Sequence, residues 1–320
     1  MLNRYYILLL LVCCCTEAAQ AQCLSSVNPV GGTESLLVLE RKSIRLNSFY
    51  KFGQGNQYYE GHQESDFNLI ERAWYNYFST EIGYGLTRRF TLEAKMGFYL
   101  NKTQKYNVLS GYTLTGRGFN YVSLHGKLNV YTDYVKRMFL SLAGGIKIPC
   151  RRNLQAVDHV QLPVEIQPSS GAFGAIMKIS FVKEDSKRGI RYFLTNHTEI
   201  NGRNRDGYKP GPSAFSSVFL SKHLMMRWVK GDWTLIFQVR NEIRGRDLID
   251  RTEKESSGSL LFFLTPQLNY VLLEKWNLSV IFDFPLYQYF NGTQLGAGPG
   301  FSLSLSSTFN TQVHTPTNIL

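Results

Sequence analysis

Twelve stretches of this chain alternate apolar and polar residues at period two, and the connections between them alternate short and long. The stretches are 44–53, 73–86, 90–101, 119–131, 138–149, 171–182, 188–200, 214–227, 232–244, 259–272, 276–287 and 300–309. Between the second and third, fourth and fifth, and so on, the connections run 3, 6, 5, 4 and 3 residues; the others run 19, 17, 21, 13, 14 and 12. Greek-key crossovers in a sandwich give no reason for such a rhythm. An up-and-down sheet that closes on itself does, with tight turns at one end and large loops at the other. The expected fold is therefore all-β: an up-and-down antiparallel transmembrane β-barrel of about twelve strands, with short periplasmic turns and long extracellular loops. An even strand number puts both termini in the periplasm.

The two faces of the segments fit a wall between lipid and a polar interior. In hydrocarbon every backbone polar group needs an internal partner, so a spanning sheet must close. In 90–101, Phe90, Leu92, Ala94, Met96, Phe98 and Leu100 share one face, and Thr91, Glu93, Lys95, Gly97, Tyr99 and Asn101 the other. Phe78, Ile82, Tyr84 and Leu86 oppose Ser79, Glu81, Gly83 and Gly85 in the same way. Charges fall on the polar phase: Arg45, Lys51, Glu81, Glu93, Lys95, Lys127, Lys147, Lys178, Arg191, Glu199, Arg240, Glu242 and Asp283, with His197 beside Glu199. These are the candidate lumen-lining residues, because a Lys or Arg turned to lipid at mid-depth costs about 2–4 kcal/mol. Eight are basic and five acidic, which predicts a mild anion preference if the lumen is open. Trp228, Trp233 and Trp276 cluster at the short-turn end, as an interfacial aromatic girdle would. The last segment sets Phe301, Leu303, Leu305 and Phe309 against Ser302, Ser304 and Ser306, like the aromatic-ended closing strand that barrel assembly machinery recognises. Pro266 and Pro285 interrupt two strands, so a bulge or a strand end is expected at each.

The amino terminus has the layout of an export signal. Arg4 precedes the apolar run Tyr5 to Cys15, and Ala19-Gln20-Ala21 is a small-x-small cleavage site. Residues 1–21 are then a signal peptide, 22–43 a periplasmic segment or a plug of the lumen, 44–309 the barrel and 310–320 a tail. Cleavage removes Arg4 and Glu17 together and leaves the net charge at +11. Leu10-Leu11-Val12 is a poor lipobox ahead of Cys13. Only Cys23 and Cys150 follow the signal, too few for a disulfide scaffold and without the spacing of a zinc site. The mean hydropathy of -0.19 excludes a helical membrane bundle, and 14% aromatic content excludes disorder.

Three stretches resemble the outer-membrane barrel family named after the meta-pathway of phenol degradation. Gly145-Ile146-Lys147-Ile148-Pro149 is similar to that family's strand ending before a long loop, and 162–171 (LPVEIQPSSG) to its return into the next strand. Residues 284–295 (FPLYQYFNGTQL) resemble its last outer loop. The resemblance implies a barrel that passes small, often aromatic or hydrophobic, molecules.

Catalytic chemistry finds little support. A barrel phospholipase needs a His two residues before a Ser nucleophile. None of the six histidines has one, and His197 has Glu199 there instead. That pair reads as a lumen pair ahead of an acid–base couple. No cofactor or metal is expected, and no basic-aromatic pattern points to nucleic acid. The expected partners are outer-membrane lipid and lipopolysaccharide, the barrel assembly machinery and an unidentified small solute. Arg203, Arg205 and Lys209 in one loop, and Arg244, Arg246, Arg251 and Lys254 near another, are candidates for lipopolysaccharide phosphates or simply solvated loop charges. A passive channel or transporter in the outer membrane is the first reading. An embedded lipid-acting enzyme and a structural or adhesive barrel are the alternatives.

Overall fold

A computed structural model describes residues 37–310, apart from 108–110, 152, 158–159, 186, 225–230 and 274. The signal segment, most of segment 22–43, Cys23, Trp228 and the tail after Asn310 lie outside the described residues. Twelve long strands run antiparallel in chain order: β1 (Ser43–Gly55), β2 (Ile70–Gly85), β3 (Phe90–Tyr106), β4 (Thr113–Asp133), β5 (Met138–Pro149) and β6 (Gly174–Asp185), then β7 (Ile190–Asn201), β8 (Ser213–Leu224), β9 (Asp232–Arg244), β10 (Ser259–Leu272), β11 (Trp276–Leu295) and β12 (Gly300–Asn310). Each pairs with its sequence neighbours, and β12 pairs with β1 from Ser43↔Asn310 to Phe52↔Phe301, which closes the barrel. Both ends of the barrel chain and the tight connections share one end, the turn end; the larger connections share the other, the loop end.

Burial alternates along most of each strand, away from the bulges. In β2, Ala73, Tyr75, Tyr77, Ser79 and Glu81 are buried inside the barrel, while Phe78, Ile82 and Tyr84 between them are exposed outward. Outward residues on other strands are mostly large and apolar, among them Leu92, Leu128, Ile146, Val218 and Phe237. A closed barrel with an apolar outer belt satisfies its backbone and presents hydrocarbon to hydrocarbon.

Three strands outrun their sequence signature. β3 and β4 were expected to end at 101 and to begin at 119, and β11 to end at 287; they reach Tyr106, Thr113 and Leu295. Bulges are the reason. The β3–β4 register shifts at Met96/Phe98 and again at Tyr99/Lys102, so Lys102, Thr103 and Gln104 are buried in succession and period two is lost. The connections after β3 and β11 shrink to 107–112 and 296–299, and the short-long rhythm is carried there by strand length. In β11 the shift lies beside Pro285: Phe262 pairs with Tyr287, but Phe263 with Pro285. Pro266 keeps its partner Phe237 on β9, whereas the ladder to β11 lapses between Leu264↔Phe284 and Gln267↔Ile281. Both prolines thus sit where a ladder bond is missing.

Loops thicken the loop end. A hairpin of residues 58–65 pairs onto the far end of β11, with Tyr58 opposite Leu295 and Tyr59 stacked on Phe290. Residues 162–172 fold inward as a strap with a single 3-10 turn at Val164–Ile166; Leu162, Ile166, Gln167 and Ala172 are buried. At the turn end, Leu39 is buried and its N–H donates to Thr91 Oγ1 at 2.8 Å. Gly85 makes room there, since a Cβ would meet the Glu40 carbonyl at 1.9 Å.

Candidate functional site

The barrel interior is a polar core of wall side chains. Near the loop end, Arg240 on β9 is 1% exposed and lies between two carboxylates. Its Nε donates to Glu242 Oε1 at 2.8 Å and its Nη1 to Asp283 Oδ1 at 3.0 Å. Lys51 Nζ donates to the other Asp283 oxygen at 2.6 Å, and Thr265 Oγ1 donates to Oδ1 at 2.8 Å. The guanidinium stands 4.6 Å from the Phe263 ring centroid. Two cations facing two carboxylates leave no net charge, the usual way to keep ions in a low-dielectric space. Gln267 donates to Gln238 Oε1 and Gln238 to Ser217 Oγ, extending the network along the inner wall.

Across the lumen, Lys147 on β5 donates to Glu199 Oε2 at 2.6 Å, and His197 Nε2 lies 3.0 Å from Glu199 Oε1. Towards the turn end Lys127 pairs with Glu93 at 2.5 Å. Glu81 and Lys178 are buried on the same inward phase, and Lys95 and Arg45 are half-buried. Arg45 Nε donates to Thr308 Oγ1 across the closing seam. Arg191 differs from the others. Its side chain is 59% exposed at the turn-end rim, where Nε meets Glu184 at 2.9 Å, because its strand begins at Ile190 and the residue sits below the enclosed lumen. On the outer wall at that end, Trp233 packs on Tyr270 with centroids 4.5 Å apart, and Trp276 meets Phe309 edge-on.

Of the interior rings, Tyr99 stands on the expected polar face, whereas Tyr75 and Tyr77 were not anticipated. Tyr75, Tyr77 and Tyr99 point inward among the polar phase and join Phe49 and Ile281 in an apolar cluster. Glycines on the flanking strands admit them: a Cβ on Gly97 would stand 1.8 Å from Tyr77 Oη, and one on Gly53 2.3 Å from Tyr75. Sequence alternation does show both tyrosines on the inward phase, but not the neighbouring gaps that seat them.

Between this floor and the strap lies a cavity of about 120 Å³. Lys102, Lys147 and Arg244 reach it from β3, β5 and β9, and Tyr99, Tyr121 and Phe215 supply rings. Lys102 Nζ donates to the Gln167 carbonyl of the strap at 3.3 Å. Gln167 in turn braces the strap through Gln155 and Leu162. Outside, Glu165 of the strap is ion-paired with Lys254 of the loop 245–258. Arg244, read as a candidate for lipopolysaccharide phosphates or a solvated loop charge, turns into this mouth, where its Nη2 meets the buried Asp247 at 3.2 Å. Tyr208 and the Gly211 N–H also donate to Asp247. Burial holds the Tyr208 phenol above its ordinary range, so it stays a donor. Arg203, Arg205 and Arg251 remain exposed. Cys150, at the loop end of β5, has no disulfide partner among the described residues, and desolvation pushes its thiol pKa up. Among the described residues no group of three His, Cys, Asp or Glu is placed to hold a metal ion.

No family model matches the chain, and no curated protein matches it either. Solved structures do. An outer membrane channel from Pseudomonas putida F1 superposes with a TM-score of 0.68 at 12% identity, covering 87% of this chain and 99% of that one. The beta domain of the Bordetella autotransporter BrkA follows at a TM-score of 0.50 and 8% identity, covering 84% and 100%. The NanC porin gives 0.42 at 6% identity over 81% and 98%. At these identities the likeness is one of fold. With the closed twelve-strand sheet and its apolar belt, the likeness to the first of these structures makes this chain an outer-membrane β-barrel.

Proposed function

We propose that the chain is a passive channel for small solutes, hydrophobic or aromatic ones among them, and that it is gated at its external mouth. One observation carries this: beside its apolar cluster the lumen holds networks of buried ion pairs, Arg240 with Glu242 and Asp283, Lys147 with Glu199 and Lys127 with Glu93. Replacing buried ion pairs with well-packed apolar residues is often neutral or stabilising, so a barrel serving only as a scaffold gains nothing from them. A water-exchangeable path needs them. The strap is the movable part in this reading, since it is a loop outside the sheet, held by side-chain bonds such as Lys102 to the Gln167 carbonyl, Asn204 to the Ser170 carbonyl and Lys254 to Glu165. The resemblance to the phenol-pathway barrels supports the solute class. An embedded enzyme is the weaker reading: His197 pairs through Nε2 with Glu199, and among the described residues its Nδ1 has no hydrogen-bond partner that would serve as a nucleophile.

Reconstitution into planar bilayers tests the channel. The expected result is conductance in potassium chloride that rises when Glu165→Gln releases the latch, with a reversal potential of anion-selective sign in a salt gradient. Absence of conductance in both proteins rejects the channel; cation selectivity rejects the electrostatic part.

A further inference from the structure

The cavity beneath the strap has a composition that selects among solutes. Three cations reach it, Lys102, Lys147 and Arg244, each from a different strand of a rigid wall. Glu199 is the one carboxylate among the described residues that line it, and Asp247 lies close by. Glu199 is engaged by both Lys147 and His197, and Asp247, behind the wall, by Arg244, Tyr208 and a backbone N–H. A cationic solute therefore meets three like charges and carboxylates already occupied. An anion meets the opposite. The hydrogen bond that Lys102 gives the strap goes to a neutral carbonyl, and a carboxylate in its place adds the attraction between opposite charges. Lys102 is 4% exposed, so that exchange takes place away from bulk water, where the difference counts most.

The rest of the wall fits an organic body rather than a bare ion. Tyr99, Tyr121 and Phe215 present rings, and Pro149 and Pro168 add apolar surface. Asn201, 5% exposed on the same wall, carries an Oδ1 with no hydrogen-bond partner among the described residues, an acceptor open to a hydroxyl or amino group. The volume of about 120 Å³ is close to that of cavities that hold one benzene-sized molecule. We propose that this cavity is a binding site for a small organic carboxylate with a single-ring or similarly short apolar body, its carboxylate taken by Lys102 in exchange for the strap carbonyl. This deepens the channel reading and rests on it for its biological sense, but binding itself is measured separately.

The purified full chain in detergent micelles is titrated calorimetrically with sodium benzoate, benzyl alcohol and inorganic phosphate, and the same preparation is placed in planar bilayers. Benzoate is expected to bind at least about tenfold more tightly than either other probe. Lys102→Met is expected to weaken benzoate by about tenfold while leaving benzyl alcohol unchanged, with Lys102→Arg restoring most of the loss. Heat-modifiable gel mobility establishes that each variant is folded, and the probe preferences of the unaltered protein need no variant. Equal binding of benzyl alcohol overturns the anionic part of the proposal, and equal binding of phosphate the organic part. Benzoate affinity untouched by Lys102→Met overturns the site. Conductance without benzoate binding removes this site and leaves the channel; benzoate binding without conductance removes the channel and leaves the site.

Discussion

Replacing Arg240 by Met tests whether the interior is held together by charge. The guanidinium is 1% exposed and supplies the recorded hydrogen bond to Glu242 at 2.8 Å and one of three to Asp283. Without it Asp283 keeps Lys51 and Thr265, but Glu242, itself 5% exposed, loses its ion-pair partner. Removing one member of a buried pair costs about 3–5 kcal/mol, most of it the uncompensated charge left behind. Arg240→Met should therefore lose about that much. Adding Glu242→Gln removes the stranded charge, and the double variant should return to within about 1–2 kcal/mol of the unaltered protein. Urea titration in micelles, read by heat-modifiable gel mobility and tryptophan fluorescence, measures all three proteins, with equal slopes showing that the same surface is exposed. A loss below about 1 kcal/mol for Arg240→Met would refute the reasoning, as would a double variant no more stable than the single one.

Two further substitutions probe the wall. Phe78 is 42% exposed on the outward face near the middle of β2, so Phe78→Lys should cost about 2–4 kcal/mol in bilayer-refolded protein and much less in urea-softened micelles. Equal stability in the bilayer would remove that face from the lipid. Gly97→Ala drives a Cβ towards Tyr77 Oη, and overpacking of this kind costs about 1–3 kcal/mol. Tyr77→Leu in the same chain should recover most of the loss, measured by the same titration; no recovery would place the strain elsewhere.

The alternation of residues such as Leu92, Glu93, Ala94 and Lys95 made the wall legible, because period two is imposed by the strand itself and the two solvents on its sides differ so much. Position along the barrel was less legible. The bulges around Tyr99 and Pro285 shift phase, so Lys102 lost its inward signature and the outer halves of β3, β4 and β11 read as loop. The cavity was harder still. Lys147 and Glu199 were both placed on the inward phase, but their approach depends on shear around the closed sheet, which no single strand encodes. The strap gave no periodic signal; Gln167 acts through side-chain bonds to Gln155 and Leu162 that only the folded loop creates. Arg244 looked like a loop cation because the carboxylate that draws it inward, Asp247, lies past the strand end.

The seam between β1 and β12 has a consequence for how the barrel comes to exist. Adjacent strands elsewhere are hairpin neighbours, whereas Arg45 and Thr308 are 263 residues apart. Closing so long a span, compared with a loop of about sixteen residues, costs roughly 2–3 kcal/mol more in chain entropy, and the return comes only when the final strand is in register. Until then β1 is an unpaired edge able to pair with any passing strand. The slow step of assembly should therefore be the meeting of the chain's two ends, and a defect in β12 should leave an open sheet that aggregates through β1 rather than a weakened barrel.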